Sequence, residues 1–268
     1  MKIKKIDINN NQKGEVSLPG QFSEAVREDL IKRAVHALQS NRRQKYGAKI
    51  GAGLRASAEL SRRRRKYRGS YGHGISRVPR KILTRRGTRF HWVGAVAPGT
   101  VKGRRAHPPK AEKEWDIKIN KKEKRKAIRS AISATVIKEV VSKRGHKIPE
   151  NYPFVVSKGI ENISKTKEIT SVLTKLGFQK DLNRASIRKI RAGKGKARGR
   201  KYKKKKSLLI VVGDKCNLKN SAANIPGVEV ASVKELNVEM LAPGAAPGRA
   251  TIWSENAIEA LNKNKLFM

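Results

Sequence analysis

Carboxylates are scarce in this chain. Twenty-one Asp and Glu stand against 64 Lys and Arg over 268 residues, leaving a formal net charge of +43 and a sequence pI near 11.0. A soluble domain usually keeps a net charge of magnitude about 2–8, and an excess this large repels itself unless phosphates neutralise it. Cysteine is nearly missing: Cys216 stands alone, which rules out an internal disulfide framework and fits a reducing cytoplasm. Long hydrophobic runs are missing too. The longest purely apolar stretch, Leu208-Leu209-Ile210-Val211-Val212, falls far short of the roughly 20 residues that span a bilayer. Met1 to Asp7 contain no hydrophobic core of a signal peptide. The cations do not line up opposite an apolar helix face, which argues against a membrane surface as the polyanion.

What the chain has in quantity is positive charge concentrated in two stretches. Residues 41–110 hold 21 Lys or Arg, ten Gly, four Pro and a single acid, Glu59. The candidate phosphate-binding cations here are Arg42, Arg43, Lys45, Lys49 and Arg55, then the run Arg62, Arg63, Arg64, Arg65, Lys66 and Arg68. Arg85, Arg86, Arg89, Lys102, Arg104 and Arg105 follow. Neither a helical nor a strand period survives for long, so the segment cannot bury enough apolar surface to offset its ordering entropy and its charge repulsion. It is expected to become ordered on a polyanion. Its lone aromatics, Tyr46, Tyr67, Tyr71, Phe90 and Trp92, are too few for a core but suited to packing on bases or riboses, which favours RNA.

The second stretch, residues 184–206, has thirteen Lys or Arg in 23 residues and no acid. Its first part reads as a helical continuation with Leu182, Ile187 and Ile190 turned inward. The remainder places Arg191, Lys194, Lys196, Arg198, Arg200 and Lys201 among glycines, a pattern suited to close backbone approach to phosphates. Folded sequence flanks it on both sides, so it reads as an RNA contact inside a domain.

The rest of the chain carries ordinary periodicity. Val26, Leu30, Ala34 and Leu38 recur on one helical face over residues 22–39. Ala127, Ile128, Ala131, Ile132, Thr135, Val136 and Val140 do the same over 121–143, with Asn120 and Glu123 as a candidate N-terminal cap. Ile169, Val172, Leu173 and Leu176 form a shorter face that Gly177 should stop. Short β-branched runs at 154–156, 208–212, 228–233 and 250–253 read as strands. The run 208–212 is apolar on both faces, as a central parallel strand should be, and Ser254-Glu255 looks like a cap for a final helix. Alternating strands and helices predict an α/β domain with a mostly parallel sheet. It would be formed by residues 1–40 and 111–268, with 41–110 inserted after the first helix.

Catalytic readings are weaker. Asp214 follows the central strand, where α/β enzymes often place a working carboxylate, but no partner acid or His lies nearby in sequence, so a turn residue is the simpler reading. Gly193, Gly195 and Gly199 have the wrong spacing and context for a dinucleotide loop. His36, His73, His91, His107 and His146 are scattered, so a zinc site of the usual spacing is not expected. His36 is expected on a helix surface, His73 and His91 against RNA or solvent, and Cys216 within a helix. An RNA-modifying enzyme or nuclease on an α/β fold, and a general nucleic-acid packaging protein, are the competing functions.

Several blocks carry a family resemblance. The run Ile117-Lys118-Ile119-Asn120-Lys121-Lys122-Glu123-Lys124-Arg125-Lys126-Ala127-Ile128-Arg129-Ser130-Ala131-Ile132-Ser133 resembles the helix that follows the long loop in the universal large-subunit ribosomal protein four family. Ser70-Tyr71-Gly72-His73-Gly74 with Arg77-Val78-Pro79-Arg80, and then Gly103-Arg104-Arg105-Ala106-His107-Pro108-Pro109, resemble its archaeal and eukaryotic branch. So do Pro153-Phe154-Val155-Val156, Asn224-Ile225-Pro226-Gly227, Leu236-Asn237-Val238 with Leu241-Ala242-Pro243-Gly244, and Ile252-Trp253-Ser254-Glu255. The blocks keep the family's order and cover nearly the whole chain; together they look archaeal. Residues 61–68 are more basic than that pattern leads one to expect.

The resemblance implies a three-layer α/β sandwich on the outer surface of the large subunit, with a long loop that penetrates rRNA to the nascent-peptide tunnel wall. Two arms of about 35 residues give such a loop a ceiling of about 115 Å. Its tip would comprise Tyr71, Gly72, His73, Gly74, Arg77, Pro79 and Arg80, with the turn between about Tyr71 and Ala95. The implied partners are large-subunit rRNA and neighbouring large-subunit proteins, with no membrane, DNA, cofactor, metal, catalysis or self-association.

Overall fold

The computed structural model describes residues 1–214 and 216–268. In chain order the elements are β1 (Lys2–Ile6), β2 (Gln12–Ser17), α1 (Glu28–Asn41), β3 (Arg80–Arg86), β4 (Arg89–Gly94), α2 (Lys121–Val136) and α3 (Lys138–Lys143). They continue with β5 (Val155–Val156), α4 (Thr166–Lys175), α5 (Gln179–Ser186), β6 (Lys189–Ile190), β7 (Tyr202–Lys203), β8 (Leu209–Val212), α6 (Leu218–Ala222), β9 (Glu229–Ser232), α7 (Val238–Leu241), β10 (Thr251–Ser254) and α8 (Glu255–Lys263). The chain divides into two compact units: Met1–Arg42 with Asp116–Met268, and Arg43–Trp115. The second unit runs five residues past Lys110, as far as Trp115.

The globular unit is the three-layer α/β sandwich. Its sheet has the order β2-β1-β5-β10-β8-β9, and every neighbouring pair is parallel except β1 with β2. Leu209 and Val211 point to a core shared with Ile31, Ala34 and Val35 of α1, Ala127, Ala131 and Ile132 of α2, and Ile258 of α8. Leu208, Ile210 and Val212 point the other way, to Ile169, Val172 and Leu173 of α4, Leu182 of α5 and Leu218 of α6. A strand buried on both faces has this composition because both alternating sets of side chains meet apolar layers. Burying one leucine-sized side chain is worth roughly 1.5–3 kcal/mol, so β8 is a main anchor of both layers.

Several sequence expectations shift. The helical face of residues 22–39 is carried by a helix that begins only at Glu28; Val26 precedes it, and Ile31, Ala34, Val35 and Ala37 are its buried side chains. The helix over 121–143 breaks at Ile137, whose backbone is extended. Tyr152 donates its hydroxyl to the Thr135 carbonyl, taking an acceptor the helix would otherwise use, and the β-branched run Thr135-Val136-Ile137 disfavours continuation. Asn120 occupies the N-cap position of α2, but its side chain makes no capping bond. At the end of α4, Gly177 has φ +86°, its N–H reaches the Thr174 carbonyl at 3.0 Å and the Phe178 N–H reaches Leu173 at 3.0 Å. That pair of hydrogen bonds closes the helix, and a side chain at Gly177 would be strained. Ser254 caps α8, accepting from the Ala257 N–H at 3.1 Å.

Strands β1 and β2 were not legible. Only Ile3 and Ile6 of β1 are buried, three residues apart and therefore on opposite faces, while Lys2, Lys4 and Lys5 interrupt the pattern; β2 is almost entirely exposed. Such edge strands blunt further pairing with charge and leave little apolar signal.

Candidate nucleic-acid interface

In the unit Arg43–Trp115, β3 and β4 form an antiparallel hairpin with Gly87 and Thr88 as the two residues between them. The absence of a lasting strand period did not predict it. One reason is physical: the register shifts between Ile82 and Thr84, which interrupts simple alternation. The turn falls inside the span 71–95 expected for the tip.

Arg42, Arg43, Lys45, Lys49, Arg55, Arg62, Arg63, Arg64, Arg65, Lys66, Arg68, Arg85, Arg86, Arg89, Lys102, Arg104 and Arg105 are all exposed, as are Gly72, His73, Gly74 and Arg77; Tyr71, Pro79 and Arg80 are half-buried. Among the described residues, no Lys or Arg from Arg43 to Lys110 pairs with a carboxylate. Several of them meet rings, a hydroxyl and carbonyls instead. The Arg43 guanidinium lies 3.7 Å from the Trp115 ring centre, Arg77 lies 4.8 Å from Tyr71, and Arg80 lies 5.3 Å from Trp92. Arg85 donates to the Tyr67 hydroxyl at 2.9 Å and to the Gly87 carbonyl at 3.1 Å. Cation–π contacts hold a guanidinium flat without neutralising it, so the charge stays available to phosphate.

Arg42 is the exception among the loop cations. It belongs to the globular unit and pairs with Glu239 at 2.5 Å. Trp115, outside the stretch singled out by composition, is the ring that sequence reading missed; it stacks on Tyr46 at 6.0 Å, and its only signal was a lone tryptophan in a charged run.

The second basic stretch is a small ribbon and not a helix beyond Ser186. Ile190 pairs with Tyr202 and Lys189 with Lys203. Ile187 and Ile190 are therefore exposed, 55% and 62%, and not turned inward; only Leu182 is buried. The Ile187 backbone is extended, which ends α5. Arg191 folds back to donate to the Arg200 carbonyl at 3.0 Å and is half-buried, whereas Lys194, Lys196, Arg198, Arg200 and Lys201 are exposed.

A "Ribosomal protein L4/L1 family" signature matches residues 16–264. The chain belongs to this family. It is 52% identical over 268 residues to the "Large ribosomal subunit protein uL4" of Nanoarchaeum equitans, covering all of both chains. It is 49% identical over 254 residues to that of Methanococcoides burtonii, covering 94% of each, and 43% identical over 262 residues to that of Halobacterium salinarum, covering 97% and 98%.

Within this L4/L1 family chain, two polar groups resemble catalytic sets and are built otherwise. Glu161 sits where α/β enzymes leave a ligand crevice, at the carboxyl ends of β8 and β10. Its carboxylate accepts from the Gly213 N–H at 3.0 Å, the Ser254 hydroxyl at 2.6 Å and the Asn256 amide at 2.8 Å. Asp214 faces solvent and pairs with Lys234 at 3.0 Å. His146, Asp181 and Ser207 come together in the interior, but Ser207 donates to Asp181 and not to the imidazole, so no activated hydroxyl results.

Burial pushes the Asp181 carboxyl up, yet hydrogen bonds from His146, Arg184, Ser207 and the Lys147 N–H outweigh it and hold it well below the usual carboxylate range. Burial pushes the His146 imidazole down, against the pull of Asp181. Its Nδ1 lies 3.1 Å from the Arg184 guanidinium and 3.4 Å from the Asp181 carboxylate. His36 is exposed on α1, and Cys216 is half-buried just before α6, so it lies outside the helix expected to hold it. No described helix is long and apolar enough to cross a membrane.

Proposed function

We propose that this chain is a structural, non-catalytic protein of the large ribosomal subunit in the cytoplasm. It binds and stabilises large-subunit rRNA, and its inserted unit reaches the wall of the nascent-peptide exit tunnel beside neighbouring subunit proteins. One observation supports this most directly: the exposed cations of Arg43–Trp115 have rings and carbonyls for company, not carboxylates. A surface so arranged is self-repelling alone and complementary to a phosphate backbone. The cations from Arg43 to Arg105, with Lys194, Lys196, Arg198, Arg200 and Lys201, are proposed to contact mainly phosphates and riboses. Planar guanidiniums suit confined bidentate contact better than ammonium groups.

Sucrose-gradient sedimentation at moderate salt tests the assignment. The full chain is expected to co-migrate with large subunits, and recovery only at the top of the gradient overturns it. The tunnel placement has its own test. Photoreactive nascent chains of several lengths should crosslink to residues 71–95, and their failure at every length removes the tunnel claim while leaving rRNA binding in place.

A further inference from the structure

Phosphate contact leaves one feature of the inserted unit unused. A cleft of about 690 Å³ is walled by Tyr67, Phe90 and Trp92 and rimmed by Arg65, Arg68 and Arg85. Its size falls within the roughly 300–1,000 Å³ of clefts that enclose small ligands. We propose that this cleft receives a single unpaired RNA base, guanine in preference to the others, stacked on the aromatic wall. The inference rests on the rRNA-binding reading above and names what that unit holds besides phosphate.

The wall is built for a flat partner. Phe90 and Trp92 are two residues apart on β4 and therefore share a face; their rings lie 5.1 Å apart and within 20° of parallel. Tyr67 meets Phe90 edge-on at 5.3 Å and remains 53% exposed. The backbone that brings Tyr67 there is forced into place. Arg65 and Arg68 both take left-handed conformations, φ +54° and +60°, which side-chain-bearing residues adopt only when their surroundings impose it. The turn between them closes through the Gly69 N–H to the Lys66 carbonyl at 3.0 Å, and a Cβ on Gly69 would approach that oxygen to 2.8 Å.

The rim selects among bases by what it offers. Its Arg and Lys side chains are donors only, and no carboxylate lines the cleft. Arg85 is held flat by its bonds to Tyr67 and Gly87. Guanine presents two adjacent acceptors, N7 and O6, that match a guanidinium fork, whereas adenine and cytosine place an exocyclic amino donor on that edge and uracil separates its two carbonyls by N3–H. A base still stacked in an A-form helix is out of reach, because side chains do not enter the deep, narrow major groove. The occupant is therefore an extruded guanine of a loop or bulge.

The test uses the full chain and single-stranded RNA heptamers of uridine with one central guanosine, adenosine or cytidine, read by fluorescence anisotropy. The guanosine heptamer should bind tightest. Trp92→Leu should weaken it about ten-fold or more without changing the slope of log affinity against log salt, and Trp92→Phe, which keeps a π face, should restore most of the loss. A central 6-thioguanosine should photocrosslink to Tyr67, Phe90 or Trp92 of the unaltered protein, a readout independent of how any variant folds. Equal affinity for the three heptamers, or crosslinks only elsewhere, overturns the proposal. If the wild-type chain still co-sediments with large subunits in that case, only the base-binding cleft falls; if it does not, the subunit assignment falls with it.

Discussion

Arg249 lies fully buried in the globular unit. Its guanidinium donates to the carbonyls of Ser207 (2.8 Å), Met240 (2.9 Å), Leu208 (3.2 Å) and Gly227 (3.3 Å), and to Glu229 at 2.6 Å. Arg62, Arg63, Arg64 and Arg65 are exposed in the inserted unit, and no carboxylate partners them. The same side chain is a structural clamp in one region and an open charge in the other. Carboxylates make the difference: Glu24, Glu123, Glu229, Glu239 and Asp181 all pair with arginines of the globular unit. Internal pairing ties these arginines of the globular unit to its own fold, whereas the arginines of the inserted unit are left for an external anion.

Salt should separate the two regions most strongly. If roughly ten phosphates are neutralised, log affinity for large-subunit rRNA should fall against log salt with a slope of about −7 to −9, a loss of about 10⁴–10⁵-fold between 50 and 200 mM. Urea unfolding of the globular unit should move little over the same range, since buried pairs are screened far less than exposed ones. A binding slope near −2 would place most of the inserted cations in solvent and erase the contrast.

Single substitutions sharpen it. Arg249→Met should destabilise the globular unit by about 3–5 kcal/mol, read from the urea midpoint, because Glu229 and the Ser207 and Met240 carbonyls lose a buried partner. Burial already pulls the Arg249 guanidinium down to about 10, against the influence of Asp181, and it remains charged at neutral pH. Replacing Arg62, Arg63, Arg64 and Arg65 together by Ala should leave that stability within about 0.5 kcal/mol while reducing the magnitude of the salt slope by about 3 to 4. Equal stability losses in the two variants would show that the inserted arginines also serve the fold.

Deleting residues 71–95 should cost less still. The globular core contains none of their side chains, so its unfolding free energy in urea should change by less than about 0.5 kcal/mol, and a larger change would tie the hairpin to that core. The same contrast explains what could be read in advance. The core of α2, the both-faces burial of β8 and the stop at Gly177 follow from local periodicity and backbone chemistry, and all three were legible. The β1–β2 edge, the break at Ile137 and the outward turn of Ile187 and Ile190 depend on partners distant in sequence: a neighbouring strand, the Tyr152 hydroxyl and the β7 segment. In the inserted unit, composition announced the charge correctly but hid the hairpin, because Phe90 and Trp92 pack on each other and on arginines, which apolar counting does not register.

The smallest effect expected concerns protons within the paired region. His146 and Asp181 are both buried, and both are held below their ordinary pKa values. For His146 the unfolded chain binds a proton near pH 6.5 while the folded ring, disfavoured by burial and by Arg184 and Arg144 nearby, stays neutral to a lower pH. Its contribution to stability is therefore complete above that value and declines as pH falls from about 6.5 toward the folded pKa. Asp181 adds its own loss at lower pH, where protonation removes an acceptor from Arg184, Ser207 and the Lys147 N–H; that contribution is present above about pH 4 and lost as pH falls through the depressed folded pKa. Urea midpoints measured from pH 7.5 to 3 should decline in two stages. His146→Gln, which cannot titrate but keeps a side-chain donor and acceptor beside Asp181 and Arg184, should flatten the first stage and leave the second. Retention of both stages in that variant would move the upper titration to another group, while RNA affinity, which depends on the exposed arginines, should be equal for the two proteins at pH 7.5.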